Sequence, residues 1–147
     1  MAYDLRAVVA PARALEHYGP GVAVPLGQGL ALVPMTPARA AADRTDERFG
    51  AFFPLGFDAS LAAWSADDPV AYVEADYFGG MGLQYATVWH RGDVVLGPLF
   101  KDEDDPLPAE GSPISQALRR LGATAQGHDD EFDAVGLGRH RSVERWA

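Results

Sequence analysis

The period of hydrophobic and polar positions changes several times along this chain, and the changes mark its elements. Residues 70–99 read VAYVEADYF, GGMG, LQYATVWH, RG and DVVLGPL, aromatic and β-branched runs separated by glycine-bearing breaks. That pattern predicts a meander of three antiparallel strands at the centre of a sheet. Residues 5–10 have strand composition and stop at Pro11, which cannot donate to a ladder, so this run is expected at an edge. Residues 22–26 and 30–34 flank Gly27-Gln28-Gly29 and predict a hairpin, made imperfect by Pro25 and Pro34. Residues 12–21 have room for one helical turn before Gly19-Pro20-Gly21.

Helical patterning is sparser. Thr36-Pro37 is a good helix start, predicting a helix through residues 38–42 that fades near Arg48. Phe49, Phe52, Phe53, Leu55 and Phe57 cluster around Gly50, Pro54 and Gly56, as in a loop pinned to the core by aromatic burial, with a ligand pocket as the sharper alternative. Asp58 is placed to cap a short helix over residues 59–66 that carries Leu61 and Trp64 on one face. The strongest helix has Ser112 as cap, Pro113 at its first position, and Ile114, Ala117, Leu118 and Leu121 at i, i+3, i+4 and i+7 before Gly122. Beyond it, isolated anchors at Phe132, Val135, Leu137, Val143 and Trp146 predict a returning loop and a short terminal helix from Ser142. The expected fold is α+β: one antiparallel sheet of five or six strands with helices packed on one face, in a single domain spanning 1–147.

Composition narrows the chemistry. At 147 residues, one core burying roughly 68–70% of the unfolded surface is the default. With 48% hydrophobic and 22% charged residues, neither a disordered nor a fibrous class fits. The absence of cysteine removes thiolate catalysis, disulfides and cysteine metal sites, and suits a reducing cytoplasm. The N-terminal apolar run is too short for a signal core or a membrane span, so a cytoplasmic chain without a membrane partner is expected. Net charge is −9, from 21 acidic against 12 basic side chains, which repels phosphate backbones and argues against nucleic acid. The same charge serves ordinary solubility or speeds capture of a basic protein.

Several residues invite chemical readings. Strand alternation puts Tyr72, Glu74 and Asp76 on one face, with the two carboxylates roughly 6–7 Å apart. Such a pair suits acid–base work or a divalent cation, or simply forms the solvated face of a half-covered sheet. Gly79-Gly80-Met81-Gly82 resembles a phosphate cradle, but strand-like residues follow it, so a hairpin link or bulge is expected. His17, His90, His128 and His140 show no paired ligand spacing, and no serine sits in a nucleophile elbow. Arg91-Gly92-Asp93 reads as a turn. The acidic residues 128–133 beside the basic residues 139–141 are expected to fix the tail through arginine bonds to carboxylates and carbonyls, or to offer a partner surface.

Residues 72–84 (YVEADYFGGMGLQ), 114–122 (ISQALRRLG) and 132–141 (FDAVGLGRHR) resemble segments of small bacterial proteins, some of which are similar to immunity proteins that neutralise secreted toxins. The resemblance covers about half the chain and brings no catalytic residues with it. Taken with the charge, it implies a non-catalytic protein-binding domain whose acidic side chains Glu74, Asp76, Asp102, Glu103, Asp104 and Asp105 contact a basic toxin domain. No cofactor or metal is expected. The alternative is a small-molecule-binding protein or hydrolase with a pocket near the 79–82 link, using Glu74 or Asp76 as base. Oligomeric state is not readable from these patterns.

Overall fold

A computed structural model describes residues 2–16, 23–36, 44–78 and 81–146 of the chain. They form a six-stranded antiparallel sheet with helices, an α+β architecture. The strands are β1 (Ala2–Pro11), β2 (Val24–Pro25), β3 (Leu30–Pro34), β4 (Val70–Phe78), β5 (Met81–His90) and β6 (Asp93–Lys101), in spatial order β2-β3-β1-β4-β5-β6. The helices are α1 (Ala12–Leu15), α2 (Phe57–Trp64), α3 (Pro113–Arg120), α4 (Glu131–Val135) and α5 (Val143–Trp146). None of these helices is long and apolar enough to cross a membrane.

The meander forms as the pattern predicts, but it occupies one half of the sheet, with β6 at the edge. β1 is central rather than marginal, pairing with β3 on one side and β4 on the other. The reason is its continuous apolar run: Leu5, Ala7, Val8, Val9 and Ala10 are all fully buried, as a strand covered on both faces requires. Pro11 is tolerated because it lies beyond the last β4 pair, Val9 with Ala71.

Alternation splits the central strands between two cores. On one face, Leu5, Val9, Val73 and Val88 pack under Ile114, Ala117 and Leu118 of α3, joined by Val135, Leu137 and Trp146. On the other, Val8, Tyr72 and Trp89 pack against Leu61 of α2, Ala14 and Leu15 of α1, and the loop aromatics Phe49 and Phe53. α3 and the terminal helix α5 therefore roof one face as expected, joined by α4 where a loop was expected, and the second face is also covered over part of its length. Phe53 is its keystone, with ring centroids 4.8 Å from both Phe49 and Tyr72 and 6.2 Å from Trp89. Each such pair adds about 0.5–1.5 kcal/mol beyond area burial, enough to hold a loop without regular structure.

Two helix expectations change. Most of the helix expected from Thr36 lies outside the described residues, and its expected end is a turn with a Thr45–Pro54 bridge. α2 starts at Phe57 after Gly56, whose φ of 88° makes it the left-handed entry residue, so Asp58 sits in the first turn and does not cap. α3 starts as predicted, with the Ser112 hydroxyl accepting from the Ser115 amide at 3.3 Å.

Candidate functional site

The register aligns one row of side chains across the sheet on the α2 face. Arg6 of β1 lies opposite Glu74 of β4, Glu74 opposite Tyr85 of β5, and Tyr85 opposite Phe100 of β6. The adjacent row runs Asp4, Asp76, Leu83. The aromatic loop covers this face only as far as Glu74, so Asp76, Phe78 and Phe100 beyond it are exposed.

Glu74 corrects the expectation of a solvated carboxylate. It is 3% exposed. Its Oε1 accepts from the Ala51 amide at 2.9 Å, and its Oε2 accepts from the Phe52 amide at 3.1 Å and the Tyr72 hydroxyl at 2.5 Å. Both oxygens are thus committed to holding the 49–53 loop on the sheet. Burial pushes its pKa above the ordinary carboxyl value, against the opposing pull of these donors and of Arg6. Burial and the Glu74 charge likewise push the Tyr72 hydroxyl up. A Cβ on Gly50 would collide with the Glu74 carboxyl, so a larger residue there would have to displace it. Glu74 is therefore nearly buried beneath the 49–53 loop.

Asp76 does reach the surface. With Asp4, Arg6, Phe52 and Leu83 it lines a cleft of about 250 Å³ whose floor includes Glu74. Arg6 sits 3.4 Å from the Asp4 carboxylate and 4.3 Å from the Phe52 ring centroid. The remaining expected contacts, Asp102, Glu103, Asp104 and Asp105, are exposed in the loop after β6. The loop is ordered by its own carboxylates, Asp105 accepting from the Asp102 amide at 2.9 Å and Asp102 from the Glu103 amide at 2.7 Å. The structure thus keeps Asp76 and residues 102–105 at the surface but separates them by the width of β5 and β6. Among the described residues, no group of three histidine or carboxylate side chains is placed to hold a metal ion.

Between the two acidic positions lies an apolar patch that sequence reasoning missed. Tyr85 packs on Phe100 with centroids 4.7 Å apart, and Phe100 is 51% exposed, as is Phe52 beside the cleft. The Tyr85 hydroxyl is pushed up, first by burial and then by the charges of Glu74, Glu47 and Asp102. Neither a family model, nor a curated protein, nor a solved structure matches this chain.

The nearest signal to the patch, which does not by itself locate it, is the two-residue turn at Arg91-Gly92, where both φ angles are positive, 55° and 84°. It fixes His90 opposite Asp93, but counting back from it puts Tyr85 opposite Pro98. Two bulges intervene, between Ala86 and Val88 and between Val88 and Trp89, and they bring Phe100 there instead. In the tail, Arg139 bonds carbonyls as expected, donating to Pro25 O at 2.6 Å, but the buried Glu131 carboxylate accepts from Arg119 of α3 at 3.2 Å.

Proposed function

We propose that this chain is a non-catalytic protein-binding domain that captures a basic protein, in the manner of an immunity protein neutralising a basic toxin domain. The observation that carries the reading is the Tyr85–Phe100 pair, with Phe100 half exposed, between the exposed Asp76 of β4 and the exposed Asp102 after β6. Exposed aromatics with a charged rim are the usual make-up of an energetic centre in a protein interface. The acidic rim matches a basic partner and speeds its encounter, while the aromatic centre sets how long it stays. Glu103, Asp104 and Asp105 extend the rim on the β6 side. Glu74 contributes from below, by fixing the loop that presents Phe52.

The test is calorimetry of the purified chain against basic proteins encoded beside its gene. Saturable binding is expected with one of them. Phe100→Ala should weaken it by about 2 kcal/mol or more, as for a central aromatic anchor. Asp102→Lys should chiefly slow association. Absence of binding to every such protein, or full affinity in Phe100→Ala, would count against the reading.

A second reading keeps the 250 Å³ cleft as a small-molecule site, favoured by Arg6 and Asp76 lining one concavity. A ligand thermal-shift screen giving a response lost in Asp76→Asn would select it over the first.

A further inference from the structure

Among the described residues, Arg139, Arg141 and Arg145 gather positive charge where the tail returns to β1. The Asp4 amide donates to the Arg141 carbonyl at 2.9 Å, so residues 138–142 run along the part of β1 that β3 leaves unpaired. Between them is a cleft of about 470 Å³ lined by Arg139, His140, Arg141, Ser142 and Arg145. That volume falls within the range of small-molecule sites, about 300–1,000 Å³.

Two of the charges in it have no carboxylate partner among the described residues. Arg13, Arg48, Arg119 and Arg6 each have a carboxylate partner. Among the described residues, neither Arg141 nor Arg145 lies within ion-pair distance of one, although the chain carries 21 acidic side chains. Asp4 also borders the cleft, but its carboxylate faces Arg6 at 3.4 Å. Arg139 is fixed, donating to Pro25 O at 2.6 Å and Gly136 O at 3.3 Å, with its guanidinium 5.3 Å from the Trp146 ring centroid. The His140 ring stands edge-on to the same indole at 4.6 Å. A rigid cation and an oriented imidazole thus back two arginines that have no ion-pair partner among the described residues.

We propose that this cleft binds a phosphorylated small molecule, with the phosphate oxygens taken by the Arg141 and Arg145 guanidinium groups and the Ser142 hydroxyl. Guanidinium forks match phosphate oxygens in geometry as well as charge. Three guanidinium charges against one carboxylate already paired call for a dianion, which a phosphate monoester supplies and a simple carboxylate does not. The ligand would lie against the 138–145 segment, independently of the aromatic patch on β5 and β6.

Titration of the full chain with AMP and with pyrophosphate tests this, followed by calorimetry and by the chain's tryptophan fluorescence, to which Trp146, against Arg139 and His140, contributes. Saturable one-to-one binding of AMP or pyrophosphate is expected, with affinity falling as salt rises. AMP binding without pyrophosphate binding would mark a monoester site, and the converse a diphosphate site; both support the proposal. Arg145→Glu, on the exposed side of α5, should weaken binding at least about tenfold, the loss of one charge-assisted contact. The Arg141→Ala variant should do the same, and Arg120→Ala on α3 should leave binding unchanged. Should Arg141→Ala fold poorly, Arg145→Glu alone decides. No saturable binding of AMP or pyrophosphate up to millimolar concentration, or equal affinity in Arg145→Glu, overturns the proposal.

Discussion

At the scale of single residues, Glu74 shows how one buried carboxylate organises a loop and links it to pH. Its three donors come from two loop amides and one strand hydroxyl, and its pKa is raised mainly by burial. A carboxyl whose pKa is higher folded than unfolded binds more protons in the folded state between the two values. Its contribution to stability is therefore fully present below the ordinary value of 4.5 and is lost as pH rises through the raised one. Asp46 and Asp68 act oppositely: hydrogen bonds from Arg48 and Arg13 lower their pKa values, so the stability they add is lost as pH falls through those lowered values. Thermal unfolding followed from pH 7.5 downward should show stability rising as Glu74 takes up its proton, then falling in acid. Glu74→Gln should lose that rise. It should also be less stable throughout by about 1–3 kcal/mol, because an amide placed there must turn a donor toward the donors of Ala51, Phe52 or Tyr72. A variant with an unchanged rise would show that another group carries it. Alternation along β4 was enough to put Tyr72, Glu74 and Asp76 on one face, but it could not show that the loop from residue 49 lies over Glu74 and stops short of Asp76. That depends on contacts 22 and 23 positions apart in sequence.

Among the elements, α3 shows which half of a helix start is written locally. Ser112 and Pro113 announce the start in sequence, and the Ser112 cap forms. The second device is invisible there: the Gln84 side chain on β5 accepts from the Ile114 amide at 3.0 Å and donates to the Tyr77 hydroxyl at 2.7 Å. It satisfies an amide that the helix cannot, and it ties the first turn of α3 to β5. The Ile114 amide is buried and water cannot replace its partner, whereas the Ser112 cap is only partly buried. Ser112→Ala should therefore cost about 1 kcal/mol, and Gln84→Leu more, about 1–3 kcal/mol, as urea unfolding would measure. Equal losses would mean that the Ile114 amide finds another partner. β6 illustrates the same division. Its turn was readable, but its two bulges were not, and the bulges decide that Phe100 meets Tyr85. Val95, the extra residue of one register shift, and Pro98 also interrupt the free edge, which discourages pairing with a further strand.

For the whole molecule, the decisive feature is that one sheet serves two cores. Sequence patterning identified α3 as the roof of one face because its apolar stripe has a clear period. The cover on the opposite face has no period at all, being an aromatic loop with a short helix, so its existence was readable as a cluster of phenylalanines but its place was not. β1 is central for a related reason: Pro11 signals an edge, but the unbroken apolar run before it requires burial on both sides. Leu5, Ala7 and Val9 belong to one core and Val8 and Ala10 to the other, and β4 divides in the same way. Neither core can lose its packing while the other keeps a flat, paired sheet beneath it, so unfolding should be a single transition. The tryptophans allow this to be measured, since Trp146 lies in the α3 core while Trp64 and Trp89 lie on the opposite side. In Trp146→Phe, fluorescence reports only the loop-covered core and far-UV circular dichroism reports the sheet and helices together. Coincident urea midpoints by the two probes, with calorimetric and van't Hoff enthalpies equal in the unsubstituted chain, are expected. A fluorescence midpoint clearly below the dichroism midpoint would show the aromatic loop leaving first, and the Glu74 latch would then be the weak point of the fold and not a part of its cooperative unit.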